Sequence, residues 1–404
     1  MNIQTLKGFR DFLPKEARKR QYVLDILKNV FESYGFEPLE TPALEYEEIL
    51  AGKYGDESEK LMYKFRDLGG RNVAMRYDQT VPLARVVAQY QNDIPLPFKR
   101  YQIQNVWRAE NTQKGRYREF LQVDIDTVGS PSLLSDAEII AIAIKLFEEL
   151  GFKNFKVLIN DRSVFSSLVA DISLPEEKLQ VVTRAIDKLE KVGKEKVLEE
   201  LAPSVGVDTA NVILQRINSQ KKTKAVYKAI SYIKEFGIDE KYLEFDPTLA
   251  RGLDYYTGLI FEVQIEGYAG GSLGGGGRYD NLIGLFANKT IPAVGFSFGF
   301  DRLIEAMDEL KLFDGKDLGG VKILVTNTSG QSFEVTEKLR EQGINAELYA
   351  DEKDLDKQLK YADKKGIPYV LIFDNDKLIL KDMTSGEQKE LEDLAKLIDE
   401  LSAG

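Results

Sequence analysis

The length of 404 residues allows two or three domains, each with a core of its own. The composition, 43% hydrophobic and 30% charged, is typical of a soluble globular protein. It contains neither cysteine nor histidine, which excludes disulfides, thiolate or imidazole metal sites, and Ser–His or Cys–His catalysis. The net charge of −11 disfavours a nucleic-acid partner overall, but charge acts locally, and residues 99–118 hold six basic side chains and one acidic one.

Two further classes of protein are disfavoured by the sequence. Residues 1–10 have no apolar signal-peptide core, and no apolar run is long enough to span a bilayer, so we expect a cytoplasmic protein without membrane contact. No P-loop pattern is present, which argues against a P-loop ATPase. Any catalysis must depend on carboxylates, arginine, lysine, tyrosine, backbone dipoles or an oxygen-bound ion such as magnesium.

The first part of the chain predicts a helix and then a β-hairpin. After Pro14, apolar residues recur at helical spacing as far as Phe31, and Gly35 suits the end of the helix. Residues 98–110 and 116–128 alternate in polarity, and a short polar turn containing glycine joins them. Two such runs with a short connection predict an antiparallel pair of strands.

The middle of the chain predicts one domain that is interrupted by a helical insertion. Residues 174–237 are charged and helical in pattern, and a strand pattern returns at 257–265. A cluster of glycines between Gly270 and Gly277 predicts either a loop that approaches a ligand or a flexible turn. An apolar run over 291–298 then leads into a helix near Asp301.

A second domain follows a linker-like segment at 314–320. Its predicted elements alternate between strand 321–326, helix 333–342, strand 345–349, helix 355–364 and strand 369–373. This alternation predicts a small α/β domain with a largely parallel sheet. We therefore expect a catalytic domain over residues 1–318, with its insertion at about 172–240, and a C-terminal domain over residues 319–404.

The hairpin has one apolar and one polar face, because alternate residues of a strand point to opposite sides. Leu121, Val123 and Ile125 share the apolar face. The polar face carries Arg118, Phe120, Gln122, Asp124 and Asp126 on the second strand, and Gln102, Gln104, Arg108 and Glu110 on the first. From this pattern alone an ordinary half-solvated sheet is the better explanation. Phe120 favours a binding site, since a lone aromatic ring on a polar face suits stacking.

Two other segments carry residues suited to binding. Residues 250–258 read Ala-Arg-Gly-Leu-Asp-Tyr-Tyr-Thr-Gly, and their tyrosines are either hydrogen-bonding groups for a polar substrate or half-buried core residues. In residues 293–302 glycine and phenylalanine alternate, and Arg302 lies at the start of a helix, whose N-terminus favours an anion. An arginine at such a position is also commonly solvated.

These segments together resemble known motifs. Arg108-x-Glu110 on a hairpin, the following Phe120, and the glycine-rich strand that runs into Asp301-Arg302 resemble the second and third motifs of class II aminoacyl-tRNA synthetases. Residues 251–258 and Gly-Gly-Arg-Tyr-Asp at 276–280 resemble two motifs peculiar to the histidyl-tRNA synthetase family. The resemblance covers essentially the whole chain and includes residues 8–14, 34–42, 76–80, 113–120 and 187–191.

The resemblance implies an α+β catalytic domain with an antiparallel sheet, the class II synthetase fold, together with a helical insertion and a C-terminal α/β anticodon-binding domain. It implies that L-histidine and ATP form histidyl-adenylate, and that histidine then passes to the 3′ end of histidine tRNA. It also implies a homodimer with the segment around Pro42 at the interface. Mg²⁺ would accompany ATP, with Glu110 as a candidate ligand for the metal or for adenine.

The resemblance also assigns residues by position. Catalytic roles fall to Arg108 and Arg251. ATP binding falls to Arg108, Glu110, Arg116, Arg118, Phe120 and Arg302, with Phe120 and Arg302 on either side of the adenine. Histidine binding falls to Asp78, Gln79, Thr80, Gln122, Asp126, Arg251, Tyr255, Tyr256 and Tyr279, with Asp126 and the tyrosines around the imidazole.

Two non-catalytic relatives remain as alternatives. Regulatory subunits of ATP phosphoribosyltransferase share the catalytic fold, but they typically lack the arginine motif and the C-terminal domain, both of which this chain retains. A tRNA-sensing domain of the kind found in stress kinases is the second alternative. Histidine-dependent pyrophosphate exchange distinguishes the enzyme from both, since neither alternative activates an amino acid.

Overall fold

The computed structural model describes residues 3–51, 60–112, 115–251, 255–351, 354–374 and 377–402. It consists of two compact units, Met1–Asp314 and Gly315–Gly404. The division lies within the segment 314–320 that the composition marks as a linker, while the limits of 318 and 319 remain a prediction. Over the described residues, no helix combines the length and the apolar composition needed to cross a bilayer.

The first unit is built on an eight-stranded sheet. The strands of this unit, which also include those of a smaller sheet, are in chain order β1 (Glu37–Pro38), β2 (Leu44–Tyr46), β3 (Lys64–Arg66), β4 (Asn72–Met75), β5 (Phe98–Trp107), β6 (Glu119–Val128), β7 (Phe155–Asp161), β8 (Leu243–Phe245), β9 (Leu259–Ile265), β10 (Gly274–Arg278) and β11 (Ala293–Phe298). The large sheet has the order β1-β5-β6-β11-β10-β9-β7-β8 and is antiparallel except for the parallel pairs β1–β5 and β7–β8 at its edges. Strands β2, β4 and β3 form a separate small antiparallel sheet.

The helices of this unit lie around the sheet and in the insertion. They are α1 (Pro14–Ser33), α2 (Glu47–Leu50), α3 (Thr80–Gln89), α4 (Leu133–Glu149), α5 (Ser163–Asp171), α6 (Leu179–Asp187), α7 (Leu189–Val192), α8 (Lys194–Val205), α9 (Val207–Arg216), α10 (Lys224–Glu235) and α11 (Phe300–Glu309). Short 3-10 segments lie at Glu176–Lys178, Ile217–Ser219, Glu240–Tyr242 and Ile283–Leu285. The helical pattern predicted for residues 174–237 is therefore confirmed.

Helix α1 begins and ends where the sequence indicates. Pro14 occupies its first turn, where a missing N–H costs nothing, and Gly35 follows its end with φ +77°. The predicted stripe is buried at Val23, Leu27 and Phe31, so this face of the helix packs on the sheet side of the core. The prediction of an amphipathic opening helix is confirmed.

The predicted hairpin is confirmed, but its strands are shorter than expected. β5 and β6 pair from Phe98 opposite Val128 as far as Trp107 opposite Glu119. Beyond this point the backbone N–H of Arg108 donates to the carbonyl of Arg118 at 2.9 Å, and the N–H of Arg118 donates to the carbonyl of Gly8 at 2.9 Å. The carbonyl of Gly8 in the N-terminal segment thus replaces β5 as the acceptor for the N–H of Arg118, and the regular strand pairing ends at this point.

The glycine cluster is only in part what the sequence predicts, because Gly270 lies in a turn but the four glycines from Gly274 to Gly277 do not. Gly274–Gly277 belong to β10, a buried strand in the interior of the sheet between β9 and β11. A Cβ on Gly276 would lie 1.9 Å from the carbonyl oxygen of Gly295 on β11, far inside van der Waals contact. Glycine is needed here because the neighbouring backbone comes too close for any side chain.

The second unit is a smaller α/β layer. Its strands are β12 (Ile323–Val325), β13 (Ala346–Leu348), β14 (Tyr369–Asp374), β15 (Lys377–Asp382) and β16 (Gln388–Leu391), and its helices are α12 (Ser332–Glu341), α13 (Leu355–Lys365) and α14 (Leu394–Ser402). The sheet order is β13-β12-β14-β15-β16. The pairs β13–β12 and β12–β14 are parallel, and the pairs β14–β15 and β15–β16 are antiparallel. The predicted alternation is confirmed, whereas the expectation of a largely parallel sheet holds for only half of the strand pairs, because β15 and β16 were not foreseen.

Candidate functional site

A cavity of about 820 Å³ opens on the polar face of the large sheet. Its floor is formed by β6, β10 and β11, and its walls by the turn before α3, the loop between β5 and β6, and the first turn of α11. Gln122, Asp124 and Asp126 lie on this floor and are buried. The polar face of β6 therefore forms part of the floor of a cavity, and the interpretation as an ordinary half-solvated sheet is wrong.

All but two of the residues assigned from the resemblance line this cavity. They are Asp78, Thr80, Arg108, Glu110, Arg116, Phe120, Gln122, Asp126, Arg251, Tyr255, Tyr256, Tyr279 and Arg302. Gln79 is fully buried, and its side-chain N–H donates to the carbonyls of Gln104 at 2.9 Å and Gln122 at 3.1 Å, so it ties the start of α3 to the hairpin. Arg118 donates from Nε to the carbonyl of Glu110 at 3.1 Å and holds the loop between the strands.

One end of the cavity is rich in guanidinium groups. The Nε of Arg108 donates to the carbonyl of Tyr77 at 3.0 Å, and its guanidinium lies 5.1 Å from the centre of the Phe120 ring. Arg302, in the first turn of α11, donates from Nη1 to the carbonyl of Ser272 at 3.2 Å. These contacts fix both side chains, and the N-terminus of α11 adds a further positive potential. This end suits a polyanion with an attached aromatic ring.

Glu110 and Arg116 lie in the loop between β5 and β6, with Arg116 Nη1 3.7 Å from Glu110 Oε2. Half of the Arg116 side chain is exposed, so this pair is weak and free to exchange partners. Glu110 is the one assigned residue with a candidate role at a metal. Over the residues that the structure describes, no group of three or more acidic side chains is placed to hold a metal ion. A divalent cation at this end would therefore depend mainly on ligands that the substrate brings.

Arg251 reaches the cavity across the glycine strand. Its backbone has φ +48°, a conformation that is uncommon for a residue with a side chain. Its Nη1 forms an ion pair with Glu262 Oε2 at 2.8 Å, and a Cβ on Gly275 would lie 1.6 Å from this nitrogen. The guanidinium thus occupies the space directly above Gly275, which explains why β10 lacks a side chain at that point.

The opposite end of the cavity is a buried carboxylate site centred on Asp126. Its Oδ2 lies 2.7 Å from Nη2 of Arg100, and its Oδ1 accepts a hydrogen bond from the hydroxyl of Tyr279. Burial raises the pKa of Asp126, and this rise is opposed by the Arg100 guanidinium and the Tyr279 hydroxyl. Gly295 makes room for the carboxylate, since a Cβ there would lie 1.9 Å from Asp126 Oδ1.

Three tyrosines surround this end of the cavity. The rings of Tyr255 and Tyr256 have centroids 4.9 Å apart, and those of Tyr255 and Tyr279 lie 5.7 Å apart in an edge-to-face arrangement. Burial raises the pKa of all three hydroxyls, to well above the ordinary value for Tyr255 and Tyr279. They therefore stay protonated at neutral pH, and the rings and hydroxyls together suit a flat, polar ring.

Sequence reasoning missed two charged residues of this site. Arg100 is fully buried with its guanidinium against Asp126, and Asp124 lies on the cavity floor. Asp124 was placed on the polar face but given no role, and Arg100 was not singled out. Strand parity could have found Arg100, because it lies directly opposite Asp126 in the ladder between β5 and β6.

Comparisons with known proteins agree with this geometry. The histidyl-tRNA synthetase family matches residues 8–303, and the anticodon binding domain family matches residues 321–403. A histidine–tRNA ligase from Cytophaga hutchinsonii is 41% identical, with 95% of this chain and 96% of that protein covered. The crystal structure of histidyl-tRNA synthetase from Nostoc sp. PCC 7120 superimposes with a TM-score of 0.87 at 32% identity, covering 100% of this chain and 99% of that one.

A structure titled as an ATP phosphoribosyltransferase regulatory subunit/histidyl-tRNA synthetase from Bacillus halodurans also superimposes, with a TM-score of 0.71 at 24% identity over 89% of this chain and 97% of that one. At this identity the likeness concerns the fold alone.

An antiparallel sheet that carries a guanidinium-lined cavity, joined to a separate α/β domain, is the architecture of a class II aminoacyl-tRNA synthetase. Within this class, both the extent of the family match and the near-complete overlap with a relative above 40% identity point to one family. The chain belongs to the histidyl-tRNA synthetase family.

Proposed function

We propose that the protein is a histidine–tRNA ligase, which activates L-histidine with ATP and then transfers it to the 3′ end of histidine tRNA. The observation that carries the proposal is the division of one cavity into a guanidinium end and a buried carboxylate end. The first suits the phosphates and adenine of ATP, and the second suits an amino acid with a ring that donates hydrogen bonds.

In the first step, a carboxylate oxygen of histidine attacks the α-phosphorus of ATP. The bond from that phosphorus to the oxygen bridging to the β-phosphate breaks, and pyrophosphate leaves with the electron pair. The attacking group is already an anion, so no general base is needed, and a chain without histidine can perform the step. Arg108 and Arg251 would contact the α-phosphate and offset the charge that builds up in the transition state, which requires fixed positions more than proton transfer.

Adenine would lie between the Phe120 ring and the Arg302 guanidinium, with Arg116 at the phosphates. The hydrogen bonds that Arg108 and Arg302 donate to the carbonyls of Tyr77 and Ser272 support this assignment, because a preorganised cation loses less entropy on binding. Mg²⁺ bound to the phosphates would neutralise part of their charge. Glu110 is the residue placed to contact that ion or the adenine.

Histidine would be recognised at the carboxylate end. Asp126 would accept the imidazole N–H, while the three tyrosines enclose the ring. Asp78, Thr80 and Gln122 would hold the amino-acid end from the turn before α3 and from β6. A side chain of similar size without an N–H would leave Asp126 buried without a partner for its remaining lone pairs, which is the physical basis for rejecting it.

The second step needs a bound tRNA, whose terminal ribose hydroxyl attacks the carbonyl carbon of the adenylate and releases AMP. The match of residues 321–403 to the anticodon binding domain family supports a role for the second unit in reading the anticodon. The helical insertion is available to contact the acceptor arm. Because charged tRNA is used by ribosomes, we place the reaction in the cytoplasm.

A homodimer is part of the proposal. The small sheet of β2, β4 and β3 leaves Leu44, Tyr46 and Phe65 between 42% and 52% exposed, and Tyr46 and Phe65 lie in the same row across the sheet, on either side of Val73. Exposed apolar side chains in one row favour a protein partner. Light scattering of the wild type should give twice the chain mass of 45.7 kDa, and Tyr46→Glu should shift the mass towards that of one chain.

The central experiment is ATP–pyrophosphate exchange with each of the twenty amino acids in turn. Histidine alone should support exchange, and Arg251→Ala should lower the rate by about 10²- to 10³-fold, as for the loss of one transition-state donor. Arg216→Ala, on the exposed surface of α9, is the matched control and should keep the wild-type rate. Exchange with another amino acid, or with none, would overturn the proposal, and the latter result would favour a regulatory or tRNA-sensing protein.

A further inference from the structure

Asp124 is a buried acid on the floor of the cavity to which the proposed reaction gives no task. Its side chain is 3% exposed. One carboxylate oxygen, Oδ2, accepts a hydrogen bond from Nε2 of Gln122 at 2.9 Å. The other, Oδ1, is buried and has no hydrogen-bond partner within the described part of the chain. A buried carboxylate oxygen without a donor is costly, so such an atom calls for an explanation.

The charged and polar groups around Asp124 come from β5, β6, β11, the turn before α3 and the segment that carries Tyr255 and Tyr256. Arg100 on β5 provides the nearest positive charge, but its Nη2 is already 2.7 Å from Asp126 Oδ2. Asp126 on β6 and Asp78 before α3 add negative charge, while the Ser297 hydroxyl on β11 interacts with the Asp124 carboxyl and opposes the rise in its pKa. The hydroxyls of Tyr255 and Tyr256 also face this carboxyl. Asp124 and Asp126 therefore share the buried guanidinium of Arg100, and the negative charge of Asp78 acts on both of them. The arrangement has a deficit of positive charge that a cationic or N–H-bearing ligand would relieve.

We propose that Asp124 is a further substrate-binding residue, whose Oδ1 accepts a hydrogen bond from a nitrogen-bound proton of the amino-acid substrate. This inference rests on the proposed function, because it takes histidine to be that substrate. Histidine has two nitrogens that could donate, the α-ammonium and the imidazole N–H. Both lie within one small molecule, and the experiment below separates them.

The protonation of Asp124 fits this role. Burial raises its pKa to about 7, with Asp126 adding to the rise and Arg100 opposing it. Near neutral pH the carboxyl group therefore holds a proton for part of the time. On binding, the N–H of the substrate would replace the carboxyl proton as the partner of the Asp124 carboxylate. Protonation of Asp124 at lower pH should therefore weaken histidine binding. The expected signature is a fall in histidine affinity below about pH 7 that depends on Asp124.

The test compares wild type with Asp124→Asn and the smaller Asp124→Ser, using histidine-dependent pyrophosphate exchange and direct calorimetric binding. Loss of a charged hydrogen-bond partner should raise KM and Kd for histidine by about 10- to 100-fold and leave KM for ATP within about twofold. Asp239→Asn, an exposed aspartate outside the cavity, is the control and should match wild type. Between pH 8 and pH 6, wild type should lose more histidine affinity than Asp124→Asn.

Two fragments of histidine identify the nitrogen. Histamine keeps the ammonium and the imidazole, while 3-(imidazol-4-yl)propanoate keeps the imidazole and the carboxylate but lacks the ammonium. If Asp124 binds the ammonium, its substitution weakens histamine and leaves the propanoate unaffected. If it binds the imidazole, both are weakened.

The outcomes separate this inference from the proposed function. A wild-type protein without histidine-dependent exchange would defeat the proposed function itself. An active wild type with folded Asp124→Asn and Asp124→Ser variants that keep the histidine KM and the pH profile would overturn the assignment of Asp124 alone. Thermal unfolding of each variant establishes that it is folded, and the two substitutions guard against one of them disturbing Gln122.

Discussion

Gly295→Ala is the substitution for which the structure makes its sharpest prediction. Gly295 pairs with Asp126 across β11 and β6, and an added Cβ would lie 1.9 Å from Asp126 Oδ1 and 2.9 Å from the carbonyl oxygen of Ile125. Non-bonded carbon and oxygen atoms need roughly 3.2 Å or more, so the carboxylate would have to move by more than about 1 Å. It cannot move freely, because Arg100 lies 2.7 Å away and the Tyr279 hydroxyl binds its other oxygen.

Two magnitudes follow from this geometry. Overpacking a buried strand with one methyl group typically costs about 1–3 kcal/mol of folding free energy. A displacement of about 1 Å in a substrate-positioning group lowers catalytic efficiency by about 10²-fold. We therefore expect Gly295→Ala to lower kcat/KM for histidine in pyrophosphate exchange by about two orders of magnitude, with KM for ATP little changed, and to lower the free energy of unfolding in urea.

The control is Gly284→Ala in the same unit, where the nearest atom to an added Cβ is the carbonyl oxygen of Lys289 at 3.4 Å. This variant should keep wild-type kinetics. The reasoning is refuted if Gly295→Ala is folded and retains the wild-type KM and kcat for histidine. In that case either Asp126 tolerates the displacement or histidine does not depend on its position.

Four further predictions follow from the same site. Arg100→Met should lower the free energy of unfolding measured in urea by about 3–5 kcal/mol, because it leaves Asp126 buried without its counter-ion. The double variant with Asp126→Asn should recover part of this loss, and no recovery would count against the ion pair. Tyr279→Phe should raise KM for histidine by about tenfold in exchange assays, and an unchanged KM would remove Tyr279 from the pocket. The pKa of Asp124 in the folded protein is raised from 3.8 to about 7, so its favourable contribution to stability is present at pH 4 and is lost as the pH rises to about 7. Asp124→Asn should therefore gain stability relative to wild type between these pH values in unfolding experiments. A stability difference that stays constant with pH would contradict the raised pKa. Finally, because the sequence contains no histidine, we expect full-length synthesis of this protein in a translation extract depleted of histidine. A truncated product there would refute the idea that its synthesis does not require charged histidine tRNA.

Local pattern was enough for much of the fold. The apolar stripe of α1, the alternation of the hairpin and the strand–helix rhythm after residue 320 are all visible in sequence, because helix and strand periods are set by neighbouring residues. The glycine strand β10 was not predictable in this way. Its conformation is imposed by β9 and β11 on either side, and nothing within Gly274–Gly277 itself favours a strand.

The candidate site divides along the same line. Motif resemblance located thirteen residues that the structure brings to one cavity, although their individual roles stay predictions. The resemblance did not distinguish these thirteen residues from Gln79, whose side-chain amide donates to the backbone carbonyls of Gln104 and Gln122. Whether a polar side chain serves a ligand or its neighbours depends on which donors and acceptors surround it, and those come from distant parts of the chain.

The sequence by itself determined the family, the order of elements and the chemistry that a chain without histidine or cysteine can perform. Tertiary structure alone decided that Gln122, Asp124 and Asp126 on the polar face of the hairpin are buried and that Arg100 supplies the counter-ion to Asp126. It also decided that one oxygen of Asp124 is buried without a hydrogen-bond partner in the part of the chain that the structure describes. The physical reason is that burial and charge pairing depend on the whole packed assembly of strands. The period of a single strand tells which residues share a face, but not what covers that face.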